Sequence, residues 1–256
     1  MFWEPVAFKE DDCLHWQVGP CKLWVKRTED EWQVAVQRGA SENGLTVADT
    51  QEPPSGVTWT RWAAINDDYI FRLLPVMPDR PALVRPESPF TFPPQSNLHF
   101  YVSIPIWLRL ATGANGGNVL RDEAVVVLSN SWFGDPMEGR LCYALKTTAR
   151  RSSRFLRILP HLAACRVHIK NRSEKMLAFE RLCIHTAHLC LYHDDKRFWT
   201  NQIDVTYGGE SQPDSIAFAG APKPAGQANV ITEAREPVKK GLFQKSFSDF
   251  KAFVRI

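Results

Sequence analysis

The chain has 256 residues, of which 44% are hydrophobic, 23% charged and 11% aromatic, a composition that fits a folded globular protein and excludes a disordered one. No apolar run reaches the roughly 18 residues that a membrane-spanning helix needs, and residues 1–5 lack the start of a signal peptide. The net charge of +3 is too small to indicate a nucleic-acid-binding protein. We therefore expect a cytoplasmic protein without a membrane span.

The first predicted element is a β-hairpin formed by residues 22–27 and 32–37. Pairing Arg27 with Trp32 places Val25 opposite Val34, and apolar residues then share one face of the hairpin. Trp24 falls on the other face together with charged and polar residues. The pattern predicts antiparallel strands with one buried and one solvated face.

Period-two patterns of this kind continue along the chain and predict many further strands. The predicted strands are residues 57–65, 69–74, 98–110, 124–128, 140–147, 164–170, 177–183, 189–192 and 198–207. Tight turns are expected at residues 66–68 and at Asp194 and Asp195, because Asn and Asp side chains bond to their own backbone.

Prolines are concentrated in residues 75–105, which contain eight of the 18 in the chain. Because proline lacks an amide donor, this segment is predicted to be an extended connection rather than a central strand. A second break lies near residues 152–160. We expect an N-terminal lobe over residues 1–150 that includes the proline-rich connection, and a C-terminal lobe over residues 151–256.

The last element is a predicted amphipathic helix over residues 243–255. Phe243, Phe247, Phe250 and Val254 follow one another at spacings of four, three and four, which places them on one helical stripe. The stripe fits a helix that packs on the sheet, or one that binds in a groove of a partner. Together these patterns predict an all-β protein, an antiparallel β-sandwich of one or two lobes with a single C-terminal helix.

Several short motifs, taken in order, resemble a family of uncharacterised prokaryotic proteins that is catalogued as a domain of unknown function. These motifs are Pro78–Pro81, Arg85–Glu87, Phe100–Pro105, Asn130–Pro136, Asn171–Glu174, Glu180–Leu182, Leu189–Tyr192 and Trp199–Thr200. The resemblance covers nearly the whole chain. It implies a bacterial or archaeal protein and supplies no reaction and no catalytic residue.

A basic band extends from Lys146 to Arg172. It contains eight Lys and Arg residues and no Asp or Glu, which leaves a net charge of −5 on the remainder of the chain. Such an asymmetry favours the binding of an anion or an acidic protein surface. The residues predicted to make this contact are Arg150, Arg151, Arg154 and Arg157. Nucleic acid is not expected, because Phe155 is the single aromatic residue in the band.

Five potential metal ligands lie within eleven residues, and they are Cys183, His185, His188, Cys190 and His193. Cys and His are ligands for zinc and other soft metals. On one strand, however, these side chains would point to both faces, and no spacing of a known zinc motif is present. A metal site and a half-buried strand therefore remain the two readings. The cluster is richer in His and Cys than the resembled family leads us to expect.

Other function classes have less support in the sequence. Trp24, Trp59 and Trp62 would serve a sugar-binding surface if exposed, but most of the nine Trp residues are expected in the core. Nucleophile-elbow, phosphate-loop, dinucleotide and metalloprotease motifs are absent. The six Cys residues are expected as reduced thiols.

The leading prediction is a non-catalytic binding or scaffold protein with a basic face toward an acidic partner or anion. The alternative is a metal-binding protein or metal-dependent enzyme that uses the Cys/His cluster.

Overall fold

The computed structural model describes residues 2–49, 53–64, 69–88, 90–113, 116–209 and 215–237. Within these residues the chain forms β-strands and three short 3₁₀ helices, which confirms the prediction of an all-β protein. No helix in this part of the chain combines the length and the apolar character needed to cross a membrane. The turn predicted at residues 66–68 and the helix predicted over residues 243–255 lie outside the described residues.

The strands, in chain order, are β1 (Val6–Ala7), β2 (Cys13–Val18), β3 (Cys21–Arg27), β4 (Glu31–Arg38), β5 (Leu45–Asp49), β6 (Trp59–Ala63), β7 (Ile70–Val76), β8 (Ala82–Pro86), β9 (Phe90–Phe92), β10 (Ser96–Pro105), β11 (Trp107–Thr112), β12 (Asn118–Ala124), β13 (Asn130–Phe133), β14 (Arg140–Thr147), β15 (Leu162–Asn171), β16 (Leu177–Phe179), β17 (Leu182–Ile184), β18 (Leu191–His193), β19 (Phe198–Thr200), β20 (Ile203–Tyr207), β21 (Ser215–Phe218) and β22 (Asn229–Thr232). The 3₁₀ helices are Ser153–Phe155, Thr186–His188 and Lys223–Ala225.

The chain divides into two compact units, each built from several stretches of sequence. Unit 1 comprises residues 1–76, 105–127 and 159–161, and unit 2 comprises residues 77–104, 128–158 and 162–256. The sequence predicts a single boundary at residue 150 instead. A boundary inferred from composition assumes that each lobe is continuous, and here neighbouring strands of one sheet come from distant parts of the chain.

Unit 1 contains two antiparallel sheets, with strand orders β5-β2-β3-β4-β6 and β1-β7-β11-β12. The predicted hairpin is confirmed in register, with Arg27 opposite Trp32 and Val25 opposite Val34. The core of the unit is aromatic. The ring of Phe71 lies 5.4 Å from that of Trp16 and 5.6 Å from that of Trp32, measured between centroids.

The predicted solvated face of this hairpin is wrong at its centre. Trp24 is only 3% exposed, and its ring lies 4.9 Å from that of His15. Ala35, its cross-strand partner, is fully buried. Alternation assigns residues to two faces, but whether the second face is covered depends on the rest of the fold.

Unit 2 contains a seven-stranded sheet, a four-stranded sheet in the order β13-β14-β8-β17 and the two-stranded pair β16-β9. In the seven-stranded sheet β21-β20-β15-β19-β18-β22 form one path, and β10 pairs with β15. The prediction of purely antiparallel sheets is wrong here. β14 pairs with β8 in parallel, and β15 pairs in parallel with both β19 and β20. Alternation of side chains is common to both strand directions, so it could not distinguish them.

The proline-rich segment is more regular than predicted, since it contains β8, β9 and β10. β8 even lies inside its sheet, between β14 and β17. Pro81 precedes this strand and Pro86 ends it, so Leu83 and Val84 keep their amide donors for the ladder. Prolines at strand ends are compatible with pairing, and only interior ones exclude it.

Candidate functional site

The middle of the basic band forms a surface loop of unit 2, residues 150–158, which we call the basic loop. Its start is attached to β10, because the amide of Tyr101 donates a 2.7 Å hydrogen bond to the carbonyl oxygen of Arg150. A short 3₁₀ helix, Ser153–Phe155, follows, and the hydroxyl of Ser152 accepts a 3.3 Å hydrogen bond from the amide of Arg154 at its start. Such a cap satisfies a donor that would otherwise have no partner.

One apolar side chain anchors the basic loop. Leu156 is 9% exposed and belongs to a buried cluster with Tyr101, Ala164, Trp199 and Ala225. Hydrophobic burial of this side chain fixes the loop against the seven-stranded sheet.

The remaining large side chains of the basic loop point outward. The four predicted contact residues, Arg150, Arg151, Arg154 and Arg157, are all exposed. Phe155 is 73% exposed and Ile158 is 53% exposed. A loop that is anchored by one leucine therefore presents four guanidinium groups beside two apolar side chains.

Among the described residues no carboxylate forms an ion pair with Arg150, Arg151 or Arg154. Elsewhere the exposed arginine Arg61 is paired with Glu31, and Arg38 with Glu123. The positive potential of the loop is thus available to an outside partner.

The same band continues on the outer face of β15. Ala164, Arg166, His168 and Lys170 alternate with the fully buried Val167 and Ile169. Ala164 packs with Tyr101 in the cluster beneath the basic loop, so this face of β15 is the one that the loop adjoins. We call Arg166, His168, Lys170 and the neighbouring His99 of β10 the cationic face.

A hydrogen-bond network ties this face to β20. Nδ1 of His168 lies 2.8 Å from Oδ1 of Asp204, its cross-strand partner. The amide of Gln202 donates to the same carboxylate at 3.2 Å, and Nη1 of Arg166 donates to Oε1 of Gln202. Both the imidazole and the guanidinium are therefore held in fixed directions.

His99 links the cationic face to the basic loop. Its ring lies edge-on to that of Tyr101, with 5.8 Å between centroids. Burial lowers the pKa of His99, and the positive charges of Arg166, Arg151 and His168 lower it further. The neutral imidazole is favoured because a further positive charge would be repelled there.

The five predicted metal ligands do not converge. Sγ of Cys183 lies 3.8 Å from Sγ of Cys142. The thiol of Cys190 donates a 3.3 Å hydrogen bond to the carboxylate of Glu233. His188 Nδ1 lies 3.0 Å from the carbonyl oxygen of Glu236, and the ring of His193 packs on Phe198. Within the described residues, no three His, Cys, Asp or Glu side chains are arranged to hold a metal ion.

A 3₁₀ turn explains this separation. The sequence predicts one or two strands through the cluster, but Thr186–His188 form a short helix between β17 and β18. Thr186 is fully buried and donates to the carbonyl oxygens of Pro78 and Arg80, which fixes the turn. The turn leaves the rings of His185 and His188 adjacent, with 6.1 Å between centroids, whereas Cys183, Cys190 and His193 contact other residues.

His185 lies at the edge of a small apolar cavity of about 10 Å³. The cavity is lined by Leu182, Cys183, Ile184, His185, Ile203, Val205, Ile216 and Phe218. Burial lowers the pKa of His185 to about 4, with further contributions from the charges of Arg140 and His188. A space of this size holds no more than about one water molecule, so it is not a substrate pocket.

The tryptophans considered for sugar binding belong to unit 1. Trp24 is buried, and the partly buried Trp59 and Trp62 of β6 pair with Ala35 and Trp32. The guanidinium of Arg121 lies 5.6 Å from the ring of Trp62. These rings do not form the flat exposed platform that the sugar-binding hypothesis needs.

Sequence reasoning located the basic loop but missed three residues beside it. His99, His168 and Asp204 are far apart in sequence and carry no motif, and only the pairing of β10, β15 and β20 brings them to one face. The sequence offered one signal for this site. His168 lies inside the basic band, and Asp204 alternates with apolar residues in a later predicted strand.

Comparison with known proteins gives a family without a function. No curated protein and no solved structure matches the chain. A family model described as "Protein of unknown function (DUF432)" matches residues 2–252. This confirms the resemblance seen in the short motifs. The chain therefore belongs to the family described as protein of unknown function DUF432.

Proposed function

We propose that this protein is a non-catalytic binding protein that contacts an acidic protein surface through the basic loop. The observation that carries the proposal is the joint exposure of Arg150, Arg151, Arg154 and Arg157 around Phe155 in one anchored segment. Arginine and aromatic side chains are the residues most enriched at the centres of protein interfaces.

The apolar residues give the loop more than long-range attraction. Charged groups mainly steer an acidic partner toward the loop and accelerate association. Phe155 and Ile158 would then be buried in the complex, and burial of such side chains supplies the larger part of binding energy. A purely solvated face would not need two exposed apolar residues among its arginines.

Other parts of the proposal come from the sequence and the family. We place the protein in the cytoplasm of a prokaryote, in line with the expectations from sequence. For unit 2 we propose a β-sandwich, because residues of β17, β20 and β21 line one common cavity between two sheets. The helix predicted over residues 243–255 belongs to the same proposal.

The test uses the full chain and a fluorescent poly-glutamate peptide as the acidic probe. We expect binding that weakens strongly between low salt and about 0.5 M salt, since screening shortens the range of the loop's field. Replacing Arg150, Arg151, Arg154 and Arg157 with Ser should weaken binding at least about tenfold, the loss of a few charge-assisted contacts.

The matched control removes the same charge elsewhere. Lys9, Arg61, Arg85 and Lys175 are exposed and lie outside the basic band, and replacing them with Ser also lowers the net charge by four. This control should keep most of the affinity. Equal losses in the two variants, or no loss in the arginine variant, would place the binding surface outside the basic loop. Phe155→Ser should weaken capture of native partners from the host without altering the salt dependence.

A further inference from the structure

We propose that the cationic face of unit 2 is a binding site for a phosphate group, held by Arg166, His168 and His99. This inference goes beyond the proposed function, because it concerns a small anion and partly buried residues rather than an acidic protein on the exposed loop. It can hold or fail independently of that function.

The fold brings the three side chains to one face of the sheet. Arg166 and His168 are two residues apart on β15, so they point the same way. Tyr101 of β10 packs with Ala164 on that same face. His99 is two residues from Tyr101 and contacts its ring, which places it beside the two β15 residues.

One of these groups has a donor that no described residue uses. Nε of Arg166 is buried and has no hydrogen-bond partner among the described residues, although Nη1 of the same guanidinium donates to Gln202. A buried donor without a partner is costly, and a ligand oxygen would remove that cost.

His168 is oriented to donate a hydrogen bond to the same ligand. Because its Nδ1 faces the carboxylate of Asp204 at 2.8 Å, the ring presents Nε2 to the outside of the network. An imidazole that carries a proton on both nitrogens donates from both, so with Nδ1–H directed at Asp204 its Nε2–H can donate to an anion.

The charge balance favours an anion with two negative charges. Among the described residues of β15 and β20, Arg166 and Lys170 oppose one carboxylate, that of Asp204, while Arg151 lies close enough to act on His99. Planar guanidinium and imidazole donors that approach from two strands match the tetrahedral oxygens of phosphate. A single carboxylate ligand would leave some of these donors without a partner.

Inorganic phosphate is the first probe, titrated into the full chain at constant ionic strength. We expect saturable heat in calorimetry and movement of the imidazole ¹⁵N resonances of His99 and His168. Arg166→Met should reduce the affinity at least about tenfold, the usual cost of losing a hydrogen bond to a charged group. Arg172→Met, which removes an exposed charge just beyond the end of β15, is the control and should change the affinity little.

Further arms identify the source of the phosphate and keep the test decisive. Tighter binding of phenyl phosphate than of inorganic phosphate would indicate a phosphate ester, and the reverse order the free ion. If Arg166→Met does not fold, His99→Gln replaces it, with the same expected loss. Absence of saturation at millimolar phosphate, or equal effects of Arg166→Met and Arg172→Met, overturns the site. Poly-glutamate binding should survive Arg166→Met, which separates a failure of this site from a failure of the proposed function.

Discussion

The side-chain oxygen of Asn171 accepts two hydrogen bonds from Ser173, one from its amide at 3.1 Å and one from its hydroxyl at 2.8 Å. The Nδ2 atom of Asn171 donates to the carbonyl oxygens of Pro93 and Lys175, each at 2.9 Å. Both residues belong to one of the short motifs on which the resemblance to the family is based, and Asn171 is fully buried. The motif therefore joins the end of β15 to the chain after β9, and its role is structural.

Replacement of Asn171 by Ala should lower the free energy of unfolding by about 3 kcal/mol, because it leaves several buried polar groups without partners. Urea denaturation followed by tryptophan fluorescence measures the change. Asn97→Ala removes an exposed amide from β10 and serves as the control. A loss below about 1 kcal/mol for Asn171→Ala would contradict the structural role.

Acid should destabilise the protein through His185. Its folded pKa is about 4, whereas the ordinary value is 6.5, so the unfolded state takes up the proton first. The free energy of unfolding should therefore fall as the pH drops from about 6.5 toward 4, by up to about 3 kcal/mol from this residue. Burial lowers the pKa of His15 as well, so protonation of His15 in the unfolded state further decreases the free energy of unfolding at low pH.

Denaturation at pH 7 and pH 5 tests this dependence. His185→Gln cannot titrate and should flatten the difference between the two pH values. His193→Gln removes a partly exposed imidazole from the same unit and is the control. An unchanged pH dependence in His185→Gln would assign the acid sensitivity to other groups.

Gly19 in unit 1 should not tolerate a side chain. Its φ is +55°, and a Cβ there would clash with Nδ1 of the buried His161. Gly19→Ala is expected to cost about 2 kcal/mol or more, since it combines a left-handed backbone with a steric clash. Gly39→Ala, where a Cβ would meet nothing within 4 Å, is the control. Thermal denaturation compares the melting temperatures of the two variants. Equal melting temperatures would show that the turn at Gly19 can relax to accept a side chain.

The thiols should react in an order set by burial. Burial raises the pKa of Cys21 and of Cys165 to about 12, and both side chains are inaccessible. Only the thiolate attacks an alkylating reagent. The partly exposed Cys13 should therefore be labelled by iodoacetamide well before these two, as mass spectrometry of peptides can follow. Early labelling of Cys165 would indicate opening of the seven-stranded sheet.

Protein purified without a histidine tag should contain less than about a tenth of an equivalent of zinc. The candidate ligands Cys183, His188 and Cys190 contact different partners, and a structural zinc site binds tightly enough to survive purification. Elemental analysis measures the content. One equivalent of zinc that is lost on Cys183→Ser would instead support the metal-binding alternative.

The sequence by itself determined the strand content, the register of the first hairpin and the presence of a basic segment. Each of these depends on local alternation or on residue type, as the pairing of Arg27 with Trp32 illustrates. Only the tertiary structure decided that Trp24 is covered, that β8 lies inside a sheet and that the Cys/His cluster is divided by a turn. The pairing of β10, β15 and β20 also places His99, His168 and Asp204 on one face of the sheet. These outcomes depend on pairing between strands distant in sequence, and alternation within a strand carries no information about which strand becomes its neighbour or what covers its second face.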